Sequence, residues 1–442
     1  MNRHFIATCL TLFLCLPLAA AAAEQAVRCT VSPDREALPS GSPQTVVIKV
    51  ALDAPLVPSD RERPPVNLAL VLDRSGSMAG EKIAKAREAA IEALSHLGGR
   101  DRFSVVAYNH QVETLVPSTT TEDTAWIENR IRGIRADGNT ALFGAVSQGA
   151  AEVRKHLDGP YVHRVILLSD GLANVGPSSP QDLARLGTAL GKEGISVTTV
   201  GVGTDFNEDL MTRLAGHSDG NHYFVESSRD LPRIFAAELG DVLSVVARKV
   251  VVEVEVPEGV HPVRIIGREG SIRGNRVELQ MNQVYGGQQK FALVEVRVPA
   301  SAPEQVLELA VARCSYDNAL TQAREQHSAS TRVRFTARPE EVRQSVDRGV
   351  QEALVKNRMA EARDQALDLY NAGRKDEAAQ ELRQVGQALE QNAAALGLDD
   401  LADKAKALDQ DAAEFEEEKL DSVRKKTLRS ESYRVRSQQQ NY

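Results

Sequence analysis

Between residues 66 and 240 the chain alternates short apolar runs with segments of helical period, and this alternation limits the fold more than any other feature. VNLALVL (66–72) is apolar at nearly every position, as a strand covered on both faces must be. KIAKAREAAIEALSHL (82–97) follows, with Ile83, Ala86, Ala90, Ala93, Leu94 and Leu97 at helical spacing and a stop at Gly98-Gly99. DRFSVVAYN (101–109), VHRVILLSDG (162–171) and ISVTTVGVG (195–203) have the character of further strands. Helices are expected at 123–134, 141–157, 180–194, 207–215 and 229–245, and another strand near 222–225. Such a pattern builds a doubly wound, mostly parallel α/β sheet with helices on both faces. Trp126, the only tryptophan, falls in the 123–134 segment and is expected to pack into the core or a groove.

The flanks have a different period. Residues 27–52 (VRCTV, then TVVIKVAL) and 247–337 alternate with period two, as antiparallel strands do. Between the first flank and the α/β block, DAPLVPSDRERPP (53–65) is proline-rich and charged, which marks a linker. The two flanks resemble each other more than either resembles the block between them. The expected architecture is therefore an α/β domain (66–246) inserted into a β-sandwich made of 24–65 and 247–337. Residues 338–423 are rich in Ala, Glu, Gln, Lys and Leu without a strand signal and are expected to be helical. Within them, 361–389 resembles one helix-turn-helix unit with Gly373 at the turn. Residues 424–442 carry a basic cluster (Arg424, Lys425, Lys426, Arg429, Arg434, Arg436) and read as a solvated polar tail. The functional alternative is contact with an acidic membrane surface or partner.

Arg3 and His4, the apolar stretch 5–18 and the alanines 19–23 have the layout of a secretory signal peptide, residues 1–23, cleaved after Ala23. An uncleaved anchor is the rival reading. Export to the periplasm or the exterior is expected. Cys29 and Cys314 would then remain as an even pair, either a disulfide or two separate buried thiols. A disulfide would staple the sandwich across its insertion. The net charge of -8 gives no general attraction to nucleic acid.

Ligands of open α/β sheets sit outside the carboxyl ends of the strands. Three features converge there: Asp73-Arg74-Ser75-Gly76-Ser77, Asp137-Gly138-Asn139-Thr140 and Asp170-Gly171. Together they offer two carboxylates (Asp73, Asp170) and three hydroxyls (Ser75, Ser77, Thr140). An all-oxygen set of this kind suits Mg²⁺, Mn²⁺ or Ca²⁺ rather than zinc. Neutral hydroxyls leave such an ion with much of its charge, so an anionic ligand is favoured in the remaining position.

On these residues the chain resembles von Willebrand factor type A domains with a metal-ion-dependent adhesion site. D-x-S-G-S at 73–77, the threonine at 140 and D-G at 170–171 fall where that family's motif has them, over about residues 66–240. The resemblance implies that Ser75, Ser77 and Thr140 bind the ion and that Asp73 and Asp170 act directly or through water. A Glu or Asp of a protein ligand would complete the shell. The implied function is non-enzymatic: divalent-cation-dependent protein–protein interaction, as an adhesion or scaffold module of the cell envelope or exterior.

Other readings compete. The oxygens could merely cap helices, Ser77 the one beginning near Glu81 and Thr140 the one at 141–157. Asp73 could be the nucleophile of a haloacid-dehalogenase-like phosphatase, but the acid/base carboxylate expected two residues on is replaced by Ser75. A metal-independent scaffold could act through the helical C-terminal region. His217 and His222, flanking HSDGNH, read as loop polar groups.

Overall fold

In the computed structural model, which describes residues 26–56, 63–417 and 420–439, three strands come first: β1 (Arg28–Pro33), β2 (Ala37–Pro39) and β3 (Gln44–Asp53). Six strands of the α/β block follow: β4 (Val66–Asp73), β5 (Arg102–Tyr108), β6 (Val112–Thr120), β7 (Val162–Ser169), β8 (Ile195–Val202) and β9 (His222–Val225). They form one sheet in the order β6-β5-β4-β7-β8-β9. β4 lies in the middle and every residue of it is buried. Its side chains alternate between two cores. Leu68, Leu70 and Leu72 pack with the helices Glu81–Ser95 and Leu231–Leu243. Ala69 and Val71 pack on the other face with the helices Leu142–Arg154 and Glu208–His217. Burying each such leucine is worth about 1.5–3 kcal/mol, which holds the carboxyl end of β4 in place.

The sheet is parallel except at one edge. β6, which the helical and apolar periods do not announce, pairs antiparallel with β5. It carries Pro117, a residue confined to edge strands because it cannot donate to a ladder. Trp126 departs from its expected packing. The helix Thr124–Arg132 buries Ile127 and Ile131, and the indole is 43% exposed.

Seven further strands complete the flanks: β10 (Val245–Glu255), β11 (His261–Ile266), β12 (Ser271–Arg273), β13 (Arg276–Tyr285), β14 (Gln289–Val298), β15 (Val306–Asn318) and β16 (Arg324–Thr336). One sheet has the order β1-β3-β14-β11 and the other β12-β13-β10-β15-β16-β2. The N-terminal segment thus supplies strands to both sheets, and the α/β block is an insertion between β3 and β10. Ile48, Leu52, Val252, Val254, Val294 and Val296 lie in the shared core. A disulfide joins Cys29 in β1 to Cys314 in β15, across the two sheets.

The α/β block is fixed to the sandwich by buried polar contacts. Arg164, in the middle of β7 and fully buried, donates to Thr198 Oγ1 (2.9 Å) and to Gln283 Oε1 and the Tyr285 hydroxyl of β13 (2.6 and 2.7 Å). It also faces Glu238 at 3.3 Å. Asp219 receives Lys290 Nζ at 2.6 Å, Arg268 at 3.3 Å and the backbone N–H of Asn282 at 2.7 Å, all from the sandwich.

Beyond β16 the chain is helical. Arg348–Asn371 and Lys375–Ala395 are joined through Gly373, whose φ of 79° is open to glycine at little cost. The expectation of a solvated basic tail is corrected: Ser422–Ser437 is a helix, and none of residues 423–439 is exposed. Lys426 donates to Phe206 O and Glu208 (both 2.7 Å). Arg429 meets Asp209, Asp364 and Asp368, and Arg424 meets Glu414 and Asp411. The acids that neutralise this cluster are mostly distant in sequence, which is why it looks free there. Most of these cations are engaged by the chain itself, so the segment is a packed helix and not a solvated tail. Among the described residues no helix is long and apolar enough to cross a membrane. The expected signal peptide lies outside the described residues.

Candidate metal centre

Parallel pairing aligns the ends of β4 and β7: Leu72 is in register with Leu168, so Asp73 and Ser169 stand side by side and Asp170 follows. The chain turns just after each strand. Ser75 N donates to Asp73 Oδ1 at 2.8 Å, which folds 73–75 back on itself, and Gly76–Met78 makes one turn of 3-10 helix. That turn brings Ser75 Oγ and Ser77 Oγ within 3.1 Å. Ser77 Oγ in turn donates to Asp170 Oδ1 at 2.6 Å, and Ser169 Oγ donates to Asp73 Oδ2 at 2.8 Å. Asp73, Ser75, Ser77 and Asp170 are therefore linked by short contacts.

Thr140 arrives on the loop before the helix Leu142–Arg154. This loop is tied to the first by Gly76 N to Gly138 O (2.9 Å) and Asp137 N to Arg74 O (2.8 Å). Asn174 fixes its far side, accepting from Thr140 N at 2.8 Å. Gly171 lies between the hydroxyls: a Cβ there would be 3.4 Å from Ser77 Oγ and 3.6 Å from Thr140 Oγ1. All five sequence-derived residues thus come together at the carboxyl ends of β4 and β7. Neither hydroxyl serves as a helix cap. The helix Glu81–Ser95 begins after Gly80 and Leu142–Arg154 after Ala141, each without a side-chain cap.

Burial drives the electrostatics. It pushes the Asp73 carboxyl above its ordinary range; the bonds from Ser75 and Ser169 offset this in part, and the charge of Asp170 adds to it. Burial, with the charge of Asp73 behind it, also pushes Tyr108 well up, so this phenol, which donates to Leu168 O at 3.2 Å, stays neutral. Among the described residues no cation touches Asp73, whereas Lys82 Nζ reaches Asp170 Oδ2 at 2.6 Å.

Sequence reasoning passes over Ser169, Lys82 and Asn174. Ser169 was within reach, being adjacent to Asp170 at a strand end. Lys82 looks like any lysine on the polar face of a helix. His222 is a buried core residue rather than a loop group, its Nδ1 2.8 Å from Thr199 Oγ1.

Among the described residues no cluster of three or more His, Cys, Asp and Glu side chains is placed to hold a metal. The donor set here is of another kind, two carboxylates with neutral hydroxyls. It fits a hard divalent ion that keeps some of its water.

Residues 67–237 match the family model of the von Willebrand factor type A domain. An uncharacterized protein of Synechocystis sp. is 29% identical over 188 residues, 42% of this chain and 44% of that protein. The chain thus spans under half the length of the curated relatives it matches first. Among solved structures, a von Willebrand factor type A protein from Catenulispora acidiphila has a TM-score of 0.67 at 18% identity, covering 86% of this chain and 90% of that one. The ArnB paralog VWA2 from Sulfolobus acidocaldarius has a TM-score of 0.60 at 19% identity, covering 93% and 98%. At such identities the likeness is one of fold, and it extends well beyond the α/β block.

Proposed function

We propose that the von Willebrand factor type A domain of this chain, taken as residues 66–246, binds a protein partner through a divalent cation, Mg²⁺ or alternatively Mn²⁺ or Ca²⁺. The observation that carries this reading is the linked group of Asp73, Ser75, Ser77 and Asp170, with Thr140 across Gly171. Two buried carboxylates stand close together there, and among the described residues one of them, Asp73, meets no cation. Ser75, Ser77 and Thr140 would hold the ion by neutral oxygens, with Asp73 and Asp170 beside them or one water away. When bound, the ion would supply a coordination position for a carboxylate. Because the hydroxyls do not neutralise it, a partner's Glu or Asp is the favoured external ligand. Leu172, 58% exposed and next to Gly171, adds an apolar contact beside that position.

The module is read as non-enzymatic. Asp73 is fully buried, both its oxygens accept hydrogen bonds, and Ser75 stands where a phosphatase would need its second acid. The apolar N-terminal stretch supports export, to the periplasm or beyond, and the Cys29–Cys314 disulfide fits an oxidising compartment.

Immobilised protein should retain a partner from an envelope extract in Mg²⁺, release it in EDTA and recover it when Mg²⁺ is restored. Equal retention in EDTA would overturn the metal-dependent reading and favour a metal-independent contact through the helical C-terminal region.

A further inference from the structure

Lys82 is the second residue of the helix Glu81–Ser95, where the positive end of the helix dipole disfavours a cation and favours an acid. It nevertheless places its ammonium 2.6 Å from Asp170 Oδ2, while Ser77 holds Oδ1 at 2.6 Å. Both oxygens of Asp170 are therefore committed, one of them to a cation. Asp170 is fully buried, but the Lys82 side chain is 30% exposed, so the ammonium can leave toward water. The same lysine lines an open groove of about 560 Å³ that also carries Glu81, Glu226 and Asp230. Glu81 is met by Arg229 at 2.9 Å and Asp230 by Arg233 at 3.9 Å, so the exposed Glu226 is the carboxylate of the groove to which an ammonium leaving Asp170 can turn.

Charge balance governs how the centre responds to a metal. Asp73, Asp170 and the Lys82 ammonium sum to one negative charge. A divalent ion added with the ammonium still in place would leave one net positive charge, with two cations crowded around a buried carboxylate. Like charges at such range repel strongly where solvent is partly excluded. We infer that Lys82 is a built-in competitor for the metal: the divalent ion takes Asp170, the ammonium moves out into the groove beside Glu226, and this exchange sets how tightly the centre holds its ion. The inference rests on the metal-binding reading above.

Titration of the full chain with Mn²⁺ by calorimetry, in the wild type, Lys82→Met and Lys82→Arg, tests it. Lys82→Met should bind Mn²⁺ about tenfold more tightly. It should also melt at a lower temperature than the wild type without metal, because Asp170 loses its counter-charge. Lys82→Arg, which keeps the charge, should not gain affinity. Lys82→Gln, whose amide still donates to Asp170 without a charge, gives the same comparison should Lys82→Met not fold. Equal or weaker Mn²⁺ binding in the uncharged variants would overturn the competition. Absence of Mn²⁺ binding in the wild type and all variants would instead overturn the metal site itself.

Discussion

Asp73 and Asp219 are both aspartates of the α/β domain that folding takes out of water, and their surroundings differ in one respect. Burial would raise Asp219, but Lys290 and Arg268 outweigh it and hold its carboxyl below the ordinary range. Burial raises Asp73, and among the described residues no cation meets it. Asp219 is neutralised within the fold, across the joint between domain and sandwich. Asp73 stands beside a second carboxylate at the carboxyl ends of the strands, where Lys82 reaches Asp170 and not Asp73. Carboxylates that hold a fold together come with their cations, because an unpaired buried charge is costly. A carboxylate pair short of cations is what a cation-binding site looks like from inside.

Replacing Asp219 breaks the closed side of this comparison and should have the largest effect. Asp219→Ala leaves Lys290 and Arg268 buried without their partner and strips an acceptor from Asn282 N. The expected loss is about 3–5 kcal/mol in urea denaturation. A milder test protonates a closed region without mutating it. Burial, reinforced by Lys426 and Arg434 of the last helix, lowers His222 to about 3 from an ordinary 6.5. The unfolded chain then binds a proton that the folded chain refuses, so this stability is present above pH 6.5 and is lost as pH falls below it. Between pH 7 and 5 the contribution of His222 alone should fall by about 2 kcal/mol. The stability of His222→Asn should therefore drop less than that of the wild type by about that amount, the loss from His163, lowered to about 4, remaining in both. The smallest effect belongs to the open side. Without metal, Asp73→Asn should change stability by less than about 1 kcal/mol, since it orphans no cation and relieves repulsion from Asp170.

Much of this was legible in the sequence. The parallel sheet followed from buried apolar runs alternating with helices, and the insertion from the matching periods of the flanks. Asp73, Ser75, Ser77, Thr140 and Asp170 could be assembled because strand ends of a parallel sheet share one rim. What escaped depends on contacts between distant segments. The basic cluster at 424–436 could not be seen to dock, because Asp209, Asp364 and Asp368 lie far from it in the chain. β6 was hidden by Pro117 and by the mixed burial of an edge strand. Trp126 shows the converse: a large aromatic on a helix face suggested packing, and two isoleucines took that face instead. Lys82 gained its meaning only from where Asp170 sits.

The most direct measurement is calorimetric titration of Mn²⁺ into the full chain and into Asp73→Asn, with urea denaturation of both in EDTA. The wild type should bind one ion. Asp73→Asn should lose at least about tenfold in affinity, the least that removal of an outer-shell partner costs, at nearly unchanged stability. Equal Mn²⁺ binding by the two proteins would contradict the account.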